Sequence, residues 1–176
     1  MPNWCENSLT IKSNDQEKLE KLHEAMVAGN FLRSVIPIPA ELNSDRLSSF
    51  GGDDKDEKDA LRKQMVEKYG FESWYDFCSI KWGTKWDVAI FSPTLKDGQL
   101  TASFASAWAP PIGVYEELTD QGFDVDAMFY EPGMDFAGTY TSDEGELVYA
   151  CDDMPQELDD YFGHSSSMAE MEEEEA

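Results

Sequence analysis

Apolar and polar residues alternate from Asn7 to Lys12, with Leu9 and Ile11 on one side and Ser8, Thr10 and Lys12 on the other. That period of two predicts a half-buried strand. Asn14, with Glu17 three residues on, then predicts a capped helix in which Leu19, Leu22 and Met26 recur at helical spacing and Gly29 ends the run. Phe31 to Ile38 is apolar but interrupted by Pro37 and followed by Pro39, which predicts an edge strand or an extended connection.

From about residue 41 to 80 the pattern changes to that of an inserted helical segment. It opens with turn formers and the GGDD of Gly51 to Asp54, and continues as a charged helix from about Lys55 to Tyr69 whose apolar stripe is only Leu61, Met65 and Tyr69. A short helix after Ser73 is predicted from the capping-box-like pair Ser73 and Asp76, with Trp74 and Phe77 as anchors.

Trp86 to Phe91 and Gln99 to Ala107 read as a hairpin around Lys96-Asp97-Gly98, because Asp-Gly supplies the positive φ of such turns. Pro110-Pro111 opens a helix that closes at Gly122, and Phe123 to Tyr130 alternates again. Phe136 to Thr141 and Glu146 to Cys151 form a last hairpin around Asp143-Glu144-Gly145; Pro155 to Phe162 is a short terminal helix; residues 163–176 are an acidic, flexible tail.

The order β, α, insertion, β, β, α, β is a ferredoxin-like βαββαβ unit: an α+β fold, one domain over residues 1–162, with both helices on one face of an antiparallel sheet. The alternation places Leu9, Ile11, Trp86, Val88, Ile90, Leu100, Phe104, Phe123, Val125 and Phe129 toward the helices. The open face then shows Ser8, Thr10, Lys12, Asp87, Phe91, Thr101, Ser103, Asp124, Asp126, Met128 and Tyr130, partly under the added hairpin. RNA readers of this architecture need stacking aromatics and basic residues on that face, and three Asp with one Lys argue against one.

Composition alters this picture mainly through charge. The chain has 176 residues, 13 Lys+Arg against 37 Asp+Glu, and a net charge of -24. The segment from Asp97 to Ala176 carries 21 acidic side chains and no Lys or Arg. Such a field repels nucleic acid and anionic membrane and attracts basic surfaces, so the expected partner is a basic protein. Cys5, Cys78 and Cys151 lie far apart without a CxxC pair, which fits a reducing compartment rather than a disulfide framework or a zinc site. The start MPNWCENSLTIKS lacks a basic n-region and an apolar h-region, and no apolar run approaches the ~18 residues of a membrane span, so a cytoplasmic protein is expected.

Chemistry-bearing motifs are few. His23 and His164 are distant and make neither a metal cluster nor a general base, and the Gly51-Gly52 pair lacks phosphate-loop context. Asp124, Asp126, Asp143, Glu144 and Glu146 do not follow the spacing of a calcium loop. No cofactor, metal site or catalytic residue is expected. Lys85 and Asp87 lie among Trp82, Trp86 and Trp108, and with Asn3 and Trp4 they are the candidate lining of a small-ligand pocket. The competing reading is that the indoles fill the core and Lys85 pairs with a carboxylate.

Two phrases together, MPNWCENSLTI and the Trp82–Asp87 segment WGTKWD, followed by FASAWAPP from Phe104 to Pro111, resemble the YubB-like ferredoxin-like proteins of phages and conjugative plasmids. The resemblance spans most of residues 1–131. It implies the fold derived above and a mobile-element origin, and it brings no catalytic residue. Charge and resemblance together lead to an accessory interaction protein, an acidic imitator of nucleic acid that inhibits a host nucleic-acid-binding or defence protein. Its expected surface is Asp124, Asp126, Glu131, Asp143, Glu144, Glu146, Asp152 and Asp153. The alternatives are a small-ligand-binding protein or enzyme using Trp82–Asp87, and a virion or replication-associated component whose acidity serves solubility.

Overall fold

The sheet is assembled around its N-terminal strand. In this computed structural model, which describes residues 3–44, 47 and 55–167, β1 (Trp4–Lys12) lies antiparallel between β3 (Gln99–Ala107) and β4 (Asp124–Glu131). β2 (Thr94–Lys96) flanks β3, and β5 (Phe136–Thr141) and β6 (Gly145–Tyr149) extend the other side, giving the order β2-β3-β1-β4-β5-β6. The first four strands have the ferredoxin-like arrangement, so the fold is α+β of that class, widened by a hairpin beside β4. The GGDD turn at 51–54 and the glutamate run at 168–176 lie outside the described residues.

The predicted alternation is realised in β1, β3 and most of β4, whereas Trp86, expected toward the helices, is exposed because its segment joins no strand. Cys5, Leu9 and Ile11 of β1, Leu100 and Phe104 of β3, and Val125 and Phe129 of β4 are buried. Against Leu9, Ile11, Leu100 and Val125 pack α1 (Gln16–Val27), α2 (Phe31–Val35) and α5 (Ile112–Asp120), with α3 (Lys55–Tyr69) and α4 (Trp74–Lys81) joining through Met65, Phe77 and Trp82. Met65 is the buried residue of α3, while Leu61 and Tyr69 pack at the margin, as the narrow stripe requires.

Several local expectations are corrected. The cap of α1 is Asp15, whose carboxylate accepts from the Lys18 N–H, in place of Asn14. Ser73 precedes α4 as expected but makes no side-chain cap bond; Asp76 instead accepts from the Glu72 N–H. Phe31–Val35 is helical because its orphan N–H groups find a distant acceptor: Asp87 takes bonds from Leu32 and Arg33 at 2.9 and 3.1 Å. Trp86 to Phe91 forms no ladder, and the hairpin partner of β3 is only Thr94–Lys96. Left-handed Ser92 (φ 58) and Pro93 divert the chain, so the alternation of Val88 and Ile90 records core burial without strand pairing.

The added hairpin widens the sheet instead of covering it. The cover over the open face comes from α6 (Gln156–Phe162), where Leu158 and Phe162 pack on Tyr130, Ala137 and Tyr149. Tyr130 is therefore buried, stacked on Phe162 at 5.2 Å between centroids. His164, placed by sequence in the tail, belongs to this cluster: its Nδ1 lies 2.8 Å from the Tyr130 hydroxyl, and residues 164–167 are helical.

Candidate functional site

The register brings chemistry to the two opposite ends of the sheet. At the first end lie the β2–β3 turn, the start of β4 and the β5–β6 turn. They present exposed Asp97, Asp124, Asp126, Asp143 and Glu144, and Asp120 closes α5 beside them. Adjacent strands are about 4.8 Å apart, so this row of carboxylates steps across the end at intervals of one or two strand spacings, roughly 5–10 Å. Lys12 contacts Asp124 at 3.7 Å between two exposed side chains, an ion pair of little energetic weight.

The eight carboxylates predicted as one surface do not stay together. Asp124, Asp126, Asp143 and Glu144 share this end, whereas Asp152 and Asp153 follow β6 at the other. Glu146 opposes Tyr140, not the open face; desolvation, and then repulsion from Glu116, raises its carboxyl above the usual range. Glu131 is 3% exposed, with Oε1 accepting from the Gly133 N–H and Oε2 buried without a hydrogen-bond partner. It is no part of an interaction surface. The strand alternation of β4 breaks there, since Tyr130 and Glu131 are both buried. Asp97, in the β2–β3 turn, and Asp120, at the close of α5, join this end although neither is among those eight.

At the second end the WGTKWD segment separates into structural and exposed parts. Trp82 is 1% exposed and donates its indole N–H to the Ile36 carbonyl at 2.9 Å, so it is core rather than pocket wall. Gly83 turns the chain with φ 88, and a Cβ there would sit 2.9 Å from the Pro110 carbonyl oxygen. Thr84 ties the turn to β3 through a 2.9 Å bond to the Ala107 carbonyl. Asp87 accepts from the backbone N–H groups of Leu32, Arg33 and Val88, leaving it committed to α2 and its own turn.

Lys85 and Asp87 do not converge on a common point of reaction. The Lys85 ammonium instead sits over the rings of Trp86, Trp108 and Tyr75 at 4.4, 5.2 and 5.3 Å. Trp4 and Trp86 face one another at 6.4 Å. Asn3 contributes its carbonyl to the Trp108 N–H. Trp108 holds a left-handed backbone (φ 68) with its ring 41% exposed, a conformation costly for a bulky residue. Phe91 is 88% exposed, a residue expected on an open sheet face and found instead on the rim of this aromatic end.

The commitment of Asp87 predicts a measurable cost. Asp87→Ala should destabilise the protein by about 1–2 kcal/mol in chemical denaturation, the range for loss of a helix cap, and Asp87→Asn should recover part of it. Equal stability of Asp87→Ala and the parent would show that α2 does not depend on this cap.

The cysteines offer no reactive thiol. All are buried and free, and desolvation pushes Cys5 and Cys78 to about 12 and Cys151 to about 11. Among the described residues no group of three or more His, Cys, Asp or Glu side chains is placed to hold a metal ion, and no helix is long and apolar enough to cross a membrane.

Fold and surfaces thus define a ferredoxin-like α+β protein with a carboxylate-rich end and an aromatic end. No family model and no curated protein matches the chain. A crystal structure of protein api92 from Yersinia pseudotuberculosis, of family DUF1281, is similar at 12% identity and TM-score 0.45, covering 88% of this chain and 100% of that one.

Proposed function

We propose that the chain is a non-catalytic interaction protein whose carboxylate-rich end docks on the basic surface of a nucleic-acid-binding protein. The observation that carries this reading is the convergence of Asp97, Asp120, Asp124, Asp126, Asp143 and Glu144 on one end of the sheet, in a segment without Lys or Arg beyond Lys96. These six exposed carboxylates outnumber the two cations paired with them, Lys12 on Asp124 and Lys96 on Asp97, and such a surplus steers a cationic partner much as nucleic acid does. The commitment of Asp87 to backbone groups and of Lys85 to aromatic rings supports a binding role over a catalytic one. The YubB-like resemblance of the N-terminal and WGTKWD phrases adds a mobile-element setting, in which the partner is a host protein that handles DNA or RNA.

The test is affinity capture from a bacterial lysate at low salt, with and without competitor DNA. The expected result is a basic nucleic-acid-binding protein that DNA displaces. With purified partner, the variant combining Asp124→Asn, Asp126→Asn, Asp143→Asn and Glu144→Gln should bind at least tenfold more weakly and with a shallower salt dependence. Capture indifferent to salt and DNA would overturn the reading.

A further inference from the structure

The outer edge of β3 is paired only where β2 reaches it, at Gln99 to Thr101. Beyond that point the chain that would continue the hairpin, residues 86–91, leaves the ladder, diverted at left-handed Ser92. Between this segment and β3 lies a groove of about 540 Å³, within the range of ligand-binding clefts, whose lining includes Trp4, Trp86, Phe91, Ser103 and Ala105.

Both walls of the groove carry backbone outside any ladder, and two hydrogen bonds fix which way the groups of β3 point. The Trp108 N–H bonds Asn3 beside β1, while the Ala107 carbonyl accepts from Thr84 on the opposite side. By the alternation of a strand, the N–H and C=O groups of Ser103 and Ala105 point to that same outer edge. Both residues are exposed, and among the described residues no strand pairs with β3 there. Facing them, the backbone of residues 89–91 joins no ladder. An unpaired edge of this kind is a template for another strand.

We propose that this groove binds an extended segment of a partner protein by strand addition to β3, with a bulky apolar side chain seated against Trp4 and Trp86 and basic side chains flanking it. The basic character follows from charge. Asp87 lines the groove, and exposed Glu6 stands on β1 directly opposite Ala105. Lys85 does not line the groove: its ammonium lies over the Trp86 ring at 4.4 Å and borders a neighbouring depression with Arg62, Glu72 and Asp76. A chain of net charge -24 also repels a second copy of itself at this edge. Main-chain bonds to β3 supply affinity and the aromatic pair supplies side-chain selection.

The experiment uses a capped hexapeptide of sequence Lys-Phe-Lys-Val-Lys-Phe as probe, followed by amide NMR and tryptophan fluorescence on the full chain. Binding should shift the amides of Ser103 and Ala105 and the indoles of Trp4 and Trp86, and slow hydrogen exchange at both amides. N-methylation at alternate residues, made in both alternations, should weaken binding tenfold or more in at least one, although charge and side chains are unchanged. Trp86→Ser should weaken it while preserving the fold. Binding indifferent to both methylation patterns, shifts confined to Asp124–Glu144, or no binding at millimolar peptide would each overturn strand addition. The groove and the carboxylate row lie at opposite ends of the sheet, so either proposal can fail without the other.

Discussion

Trp82→Ala should lower stability by about 4 kcal/mol, within the range for deleting a large buried aromatic. The indole is 1% exposed in the main core, and its N–H is the hydrogen-bond partner of the Ile36 carbonyl, just beyond α2. Truncation leaves a cavity between α4 and the sheet and strips that carbonyl of its partner. A loss of this size is a large fraction of the ~5–15 kcal/mol that holds a domain together, so much of the variant could unfold at modest denaturant. Trp82→Phe restores most of the volume but not the N–H, and should cost about half as much. Chemical denaturation separates these outcomes; a Trp82→Ala loss below about 1 kcal/mol would mean the indole is not packed as described.

Gly138→Val should be comparably damaging, for the opposite reason. Gly138 lies on β5 opposite Phe129 and Val148, and a Cβ built there would stand 2.2 Å from the Leu147 carbonyl oxygen and 2.5 Å from the Phe129 ring. Phe129 is fully buried and cannot swing away. Accommodating a side chain means parting β5 from β6 or displacing the ring, with an expected cost of about 3 kcal/mol or more. Because the β5–β6 turn carries Asp143 and Glu144, the same variant should also loosen one corner of the carboxylate row, visible as faster amide exchange from Thr141 to Gly145. Unchanged stability with unchanged exchange would contradict the close approach of these strands.

The elements most legible in the sequence were those whose determinants lie within them. β1 shows its period of two, and α1 its apolar stripe with a glycine beyond. Both were read correctly because each has one buried face. Where the determinants are remote, the reading went astray. α2 is capped by an aspartate more than fifty residues later, which no local pattern reveals. Val88 and Ile90 alternate as in a strand because they dip into the core, while the left-handed Ser92 that prevents pairing has no residue-type signature. Tyr130 looked exposed by alternation, yet α6 folds back over it from beyond the hairpin.

The candidate site was legible to the same degree. One-sided charge was plain in composition, but only the register shows which carboxylates share an end and that Glu131 shares none. The aromatic segment is visible in sequence as WGTKWD; its division into core Trp82, cap Asp87 and exposed Trp86 depends on tertiary partners. The unpaired stretch of β3 left no trace in the sequence, because an edge is a property of what fails to lie beside a strand.

The central position of β1 has a consequence for how the protein comes into being on the ribosome. Lys12 meets Gln99 and Trp4 meets Ala107, and the strand on its other side begins at Asp124. At about 5–20 residues per second, β1 waits roughly 5–20 s after emerging before its first neighbour exists. Throughout that interval the alternating apolar face of β1 has no sheet to join. The nascent chain therefore passes through a stage in which β1 is made but unprotected, and folding of this sheet is gated by the arrival of residues beyond Gln99.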